Sequence, residues 1–283
     1  MSLKGICLQK NEWEAEVLPE YGMNMIRLSC RGEEVLRTPA TEQEIRETPQ
    51  VYGMPLLLPP NRTAGGTFVF HGQTYHLPIN EPAFGNHIHG SLSKTPFRVL
   101  QYSPESVTGV YENRGECYPF PFRITVTHRL TDQGTRHCFT ICNTGSGAMP
   151  LAFGLHIAFR AQPFFAVPIG RRWETDRCYI PTGRLLPLTE EEKNYRQGQS
   201  AYRGKPIRGF FTSEGRSARI GKIKLTVSEQ FDQWVLWNGD GTQGFLCIEP
   251  MSGAVNALNS GQGLLELAPG TEVSYAVELT DVP

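Results

Sequence analysis

The feature that most limits how this chain can fold is its punctuation: 29 glycines and 21 prolines interrupt the apolar runs of 283 residues every few positions. Glycine and proline seed turns and break regular backbone, so long helices do not fit between them. What fits is a series of short runs with period-2 alternation, rich in β-branched and aromatic residues. They fall at residues 122–128, 137–142, 223–227, 234–237, 245–248 and 272–279. That period puts alternate side chains on opposite faces of a strand. With turn signals at this spacing it predicts an all-β chain: a large antiparallel β-sandwich.

Helices are expected only at two short places. Residues 41–47 form an acidic piece, and residues 189–195 begin with Thr189 and carry Glu192 three positions on, the pattern of a capping box. Strands and helices do not alternate, so a parallel α/β sheet is not expected. The polar stretch 189–206 reads as a surface excursion between strands, and residues 1–283 as a single domain.

Charge narrows the partners. Lys plus Arg is 27 and Asp plus Glu is 28, a net charge of -1. No basic excess exists to hold a phosphate backbone or an anionic membrane, so neither nucleic acid nor membrane is expected as partner. No apolar run approaches the ~20 residues of a membrane span. The first residues lack the apolar core of a secretory signal. Seven cysteines are scattered with no CxxC pair, which suits a reducing compartment, and a cytoplasmic location is expected.

Three segments put polar groups on glycine- or proline-bracketed backbone. The first runs from Gly53-Met54-Pro55 through Asn61-Arg62 and Gly65-Gly66 to Asn86-His87-Ile88-His89-Gly90. The second is Met149-Pro150-Leu151-Ala152-Phe153-Gly154-Leu155-His156-Ile157-Ala158-Phe159. The third is Cys247-Ile248-Glu249-Pro250-Met251-Ser252-Gly253, followed by Asn256-Ala257-Leu258-Asn259. Each places an ionisable side chain in an apolar neighbourhood, where desolvation and nearby charge shift pKa values.

Taken in this order, with Tyr118-Pro119-Phe120 between, these motifs resemble the aldose 1-epimerase (galactose mutarotase-like) family over about residues 12 to 280. The resemblance implies a supersandwich with a sugar in its cleft. It implies exchange of α and β anomers of a free hexose, an isomerase reaction using no cofactor and no metal. It puts the catalytic histidine at His156 and the catalytic glutamate at Glu249, with Arg62 and His89 holding the sugar. The chemistry fits those residue types. Ring opening needs one proton delivered to the ring oxygen and another taken from the C1 hydroxyl, so one acid and one base suffice. Glu249 is read as the base and protonated His156 as the acid.

Two departures from the family stand out. Ala158 occupies a place where the family usually carries an aromatic after the histidine. Arg208 or Gly209 stands where many members place a sugar-binding aspartate; Asp232 is the nearest substitute. An arginine in place of a carboxylate points toward an acidic or phosphorylated sugar, with Arg203 and Arg171-Arg172 as further basic candidates.

Plainer readings stand beside these. Asn61 is expected to hold a turn, with a sugar contact as the lesser role. Arg62 has a plainer alternative as a turn residue tied to carbonyls, with the functional role favoured. His87 and His89 share strand spacing that a metal pair would use, but no third ligand is placed by motif. Trp173, Trp234 and Trp237 are candidate platforms for a sugar, although tryptophan is more often core. The alternatives to a hexose mutarotase are a hexose-6-phosphate 1-epimerase and a non-catalytic sugar-binding or sensor protein. A glycoside hydrolase ranks last, because it needs two carboxylates across the bond and only Glu249 is placed. The sequence leaves the choice between monomer and homodimer open.

Overall fold

The computed structural model describes residues 5–199 and 204–282. Its strand pairs are antiparallel, and two eight-stranded sheets carry the architecture. In spatial order the first sheet holds Arg98–Ser103, Ser106–Asn113, Phe122–Thr131, Gly134–Asn143, Glu272–Asp281, Ile223–Val227, Ser217–Ile220 and Phe165–Ala166. The second runs Pro181–Leu186, Ile169–Thr175, Arg208–Ser213, Gln233–Trp237, Phe245–Met251, Gly154–Leu155 and Leu56–Leu57, and Ile157–Arg160 also pairs with Phe245–Met251. A four-stranded sheet at the N-terminal end, Ile6–Lys10 to Glu33–Glu34, packs into the same core.

Every expected run is a strand. In Phe122–Thr131 the apolar side chains of Phe122, Ile124, Val126 and Leu130 are buried on one face together with His128, while those of the opposite face reach solvent in part or whole. Each such burial stabilises the fold by about 1.5–3 kcal/mol. The two expected helices are present as Glu42–Glu47 and Glu190–Gln197. Both start in capping boxes, through Thr41 with Glu44 and Thr189 with Glu192. A third, Ala257–Ser260, is one turn long and was not foreseen. No helix among the described residues is long and apolar enough to cross a membrane.

The core side of the first sheet also buries polar groups. His128 and His137 sit opposite each other in register and are fully enclosed. His128 Nε2 lies 2.8 Å from the Met23 carbonyl, which only accepts, so that nitrogen carries the proton. In the neutral pair His137 Nδ1–H then donates to His128 Nδ1 over 2.7 Å, and Thr135 donates to His137 Nε2 over 2.7 Å. Every ring nitrogen is thereby satisfied without charge.

The second sheet is covered on both sides. All seven residues of Phe245–Met251 are buried. Leu246 and Ile248 point into the main core with Ile157, Phe159, Trp234 and Leu236. The alternate positions, Phe245, Cys247 and Met251, join smaller clusters on the other side with Ala158, Val235 and Phe210. Strand alternation therefore assigns His156, Arg208, Trp237 and Glu249 to that other side.

Candidate active site

A cavity of about 480 Å³ opens on this second face, bordered by Asn61, Arg62, His89, His156, Arg208 and Glu249. It falls in the range of small-molecule sites, about 300–1,000 Å³. Glu249 is held mid-strand, paired with Val235 in register. Across the strand, Ile157 pairs with Ile248 and Gly154 with Met251, so His156 lies at the break opposite Glu249. The His156 N–H donates to the Pro55 carbonyl at 3.1 Å and the Ala158 N–H to the Gly53 carbonyl at 2.9 Å. The Gly53-Met54-Pro55 motif is thus a rail for the histidine. Gly154 lets the chains close: a Cβ there would stand 2.9 Å from Pro60 Cβ and 3.0 Å from Met251 Cγ.

His156 Nε2 and Glu249 Oε1 are 3.3 Å apart, with side chains 5% and 2% exposed. Burial disfavours charge on each. It lowers His156 to about 4 and raises Glu249 to about 8, with the Arg62 charge opposing the latter. Between those limits the pair holds one proton. Three buried polar atoms here have no protein partner: His156 Nδ1, His89 Nδ1 and Glu249 Oε2.

The arginine and the second histidine come from one hairpin, Arg62–Ala64 against Asn86–Ile88. Asn61 takes a left-handed turn at φ 53, accepts the His89 N–H on its carbonyl, and accepts Arg62 Nη1 on its side chain at 3.3 Å. These contacts fix the turn, and the residue also borders the cavity. Gly90 follows His89 at φ 63, and a Cβ there would stand 1.9 Å from the Leu58 carbonyl oxygen. Asn256 braces the hairpin: its N–H donates to the Arg62 carbonyl and its side chain accepts the Ala64 N–H. The His89 ring meets His156 edge-on at 5.2 Å, and burial pushes its pKa well below the usual imidazole value. His87 faces elsewhere, its Nδ1 2.7 Å from the Pro78 carbonyl.

Sequence reading gave no role to Glu81. Its carboxylate takes two hydrogen bonds from Arg62, at 2.8 and 2.6 Å, and fixes that guanidinium. Tyr179 also went unnoticed. Its ring carries Arg62 at 4.9 Å and Arg208 at 4.5 Å.

Asp232 does not border the cavity. It lies two residues before Trp234 and shares its parity, so it is directed away from the cavity side; its Oδ2 is 3.3 Å from where a Cβ on Gly263 would stand. Among the tryptophans, Trp237 borders the cavity and meets His156 edge-on at 5.8 Å. Trp234 is core, donating to Ser213, and Trp173 donates to Gln233. Ala158 is fully buried opposite Cys247, in a cluster against which Trp237 packs. The aromatic contact to His156 comes from the next strand but one. Arg171 and Arg172 do not border the cavity: Arg171 donates to the Leu185 carbonyl and Arg172 pairs with Glu192. Arg203 lies outside the described residues.

The chain matches the family model for aldose 1-epimerase over residues 5–280. It belongs to the aldose 1-epimerase family. Over 239 residues it is 30% identical to the uncharacterized protein YihR of Escherichia coli (strain K12), covering 79% of this chain and 77% of that protein. A galactose mutarotase-like protein from Clostridium acetobutylicum superposes with a TM-score of 0.89 at 26% identity, covering 97% of this chain and 94% of that one. A galactose 1-epimerase from Lactobacillus acidophilus shares the fold at 14% identity, with a TM-score of 0.78 over 98% of this chain and 93% of that one.

His156, Cys247 and Glu249 also offer metal-ligand atoms within 4.8 Å of one another. A cation there would occupy both groups of the acid–base pair. Burial holds the Cys247 thiol well above its usual pKa, against the thiolate a metal needs.

Proposed function

We propose that the protein is an aldose 1-epimerase that interconverts the α and β anomers of a free aldose. The observation that carries this is the buried Glu249–His156 pair, 3.3 Å apart, with an unpartnered polar atom on each side chain at the same cavity. Two facing groups that share one proton supply one acceptor and one donor, which is what ring opening requires. The shared proton rests on Glu249 in the free protein; once it has crossed the 3.3 Å to His156, Glu249 takes the proton of the C1 hydroxyl while His156 gives one to the ring oxygen. The C1–O5 bond breaks and leaves an open-chain aldehyde. Rotation about C1–C2 and the reverse transfers yield the other anomer. Arg62, held by Glu81, and His89 position the sugar so that both transfers stay within reach.

Hydrolysis fits less well. The other carboxylate bordering the cavity is Glu81, and Arg62 engages both its oxygens. A pure binder is also disfavoured, because burying an ionisable pair costs stability that binding alone does not require. A cytoplasmic setting belongs to the same reading and rests on the seven free cysteines.

The test is anomer exchange of freshly dissolved α-D-glucose and α-D-galactose, followed by polarimetry or proton NMR. Wild-type protein should accelerate it and Glu249→Gln should not. Equal rates with and without wild-type protein, for these and for charged hexoses, would falsify the assignment.

A further inference from the structure

We infer that the site selects a sugar bearing an oxyanion (a phosphate, sulfo or carboxylate group) on the side remote from C1, and that Arg208 recognises it. This rests on the anomer-exchange reading of the same cavity. The reasoning begins with charge. Arg62 is neutralised by Glu81. Glu249 and His156 share one proton and carry no net charge as a pair. Arg208 forms no ion pair and no side-chain hydrogen bond among the described residues, and the residues outside that set contain no Asp or Glu. The cavity therefore keeps one uncompensated positive charge at its border. Low-dielectric walls concentrate such a field on whatever enters.

Geometry gives that charge a direction. The Arg208 guanidinium carbon lies over the Tyr179 ring, 4.5 Å from its centre, and Phe84 meets the same ring edge-on at 5.1 Å. Tyr179 stands at φ 61 in a turn fastened by Asp176, whose carboxylate accepts the N–H groups of Cys178 and Ile180. A guanidinium held over a ring, with no ion pair or side-chain hydrogen bond of its own, keeps its N–H groups free for a ligand. Those groups form a planar fork suited to two oxygens of one anion.

Register supplies the distance. Arg208 pairs with Trp237, Trp237 with Cys247, and Glu249 follows two residues on. Two strand spacings and two residues of rise separate the Cα atoms of Arg208 and Glu249 by roughly 12 Å. An arginine side chain reaching inward and a hexose with a charged substituent across the ring from C1 together fill that span. A neutral hydroxyl there leaves the cation unmatched.

The test compares wild type with Arg208→Gln in anomer exchange on glucose, glucose 6-phosphate, glucose 6-sulfate and glucuronate. The readout is the ratio of kcat/KM for each anion to that for glucose. The expected wild-type ratio is about tenfold or more for at least one anion, falling by a similar factor in the variant and with added salt. Which anion leads identifies the group. A wild-type ratio at or below unity for all three, or a ratio the variant leaves unchanged, overturns the inference. If no sugar exchanges, the epimerase reading fails separately, and calorimetric titration of the three anions decides this one. Saturable binding that Arg208→Gln abolishes sustains it; its absence in wild type overturns it.

Discussion

Glu249 Oε1 faces His156 Nε2 across 3.3 Å at the break between two strands that both pair with the glutamate's own. Their separation is set by backbone register and not by flexible loops. Replacing either side chain should therefore remove chemistry without dispersing the site. Glu249→Gln and His156→Asn are each expected to lower kcat by about 10²–10⁴-fold, with KM moved far less. Steady-state anomer exchange, with circular dichroism to verify folding, checks this.

The pH profile follows from the shared proton. Below about 4 the pair holds two protons and has no acceptor; above about 8 it holds none and has no donor. We expect a bell, with kcat/KM rising through the lower limit, flat around neutrality, and falling through the upper one. Both apparent values belong to the pair. A profile still rising well above pH 8 contradicts the shared-proton account.

The buried carboxyl also costs stability. The Glu249 pKa is raised in the folded state, so its favourable contribution is full below the ordinary glutamate value and is lost as pH rises through about 8. Glu249→Gln does not ionise. The variant should match wild type near pH 4.5 and become the more stable protein by pH 8, by a few kcal/mol (order of magnitude). Urea midpoints at the two pH values measure the difference.

Removing Glu81 leaves Arg62, 11% exposed at its side chain, without its counter-charge. Glu81→Ala should destabilise the fold by about 2 kcal/mol or more. It should also raise KM, because the guanidinium is no longer fixed. An unchanged KM shows that Asn61 and Tyr179 suffice to hold it.

Acid should weaken the other sheet. His128 is lowered to about 4 by burial, and His137 falls well below the ordinary imidazole value for the same reason. Stability from keeping them neutral is full above pH 6.5 and is lost as pH falls toward 4. His128 alone accounts for on the order of 3 kcal/mol. Thermal midpoints of wild type and His128→Phe between pH 7 and 4.5 test this, the variant showing the shallower fall.

The strands were legible because alternation survives in short runs: Phe122–Thr131 buries every second side chain as written. The capping box at Thr189 was legible from one helical turn, whereas the one at Thr41 went unremarked although Glu44 stands at the same spacing. His156 and Glu249 were found through motif order, and their being neighbours is a matter of register that order does not contain. Glu81 escaped because it meets Arg62 only after the hairpin folds back. Tyr179 escaped because its position depends on a left-handed turn at φ 61. Asp232 was misplaced although the parity of Trp234 two residues on carries the answer. His128 and His137 sit on the core-facing period of their strands, and strand pairing was needed to bring them opposite each other.

The cavity is built from two kinds of part, a buried centre and an exposed margin. Glu249 lies in a strand whose seven residues are all buried, so changing its surroundings disturbs the core on one side or the other. Arg208 is the exposed first residue of a strand two places along the same sheet, and Tyr179 and Phe84 stand in turns. Those three can be exchanged with little cost to folding. A lineage built on this frame can acquire new ligands by rewriting its margins while the buried Glu249–His156 pair stays as it is.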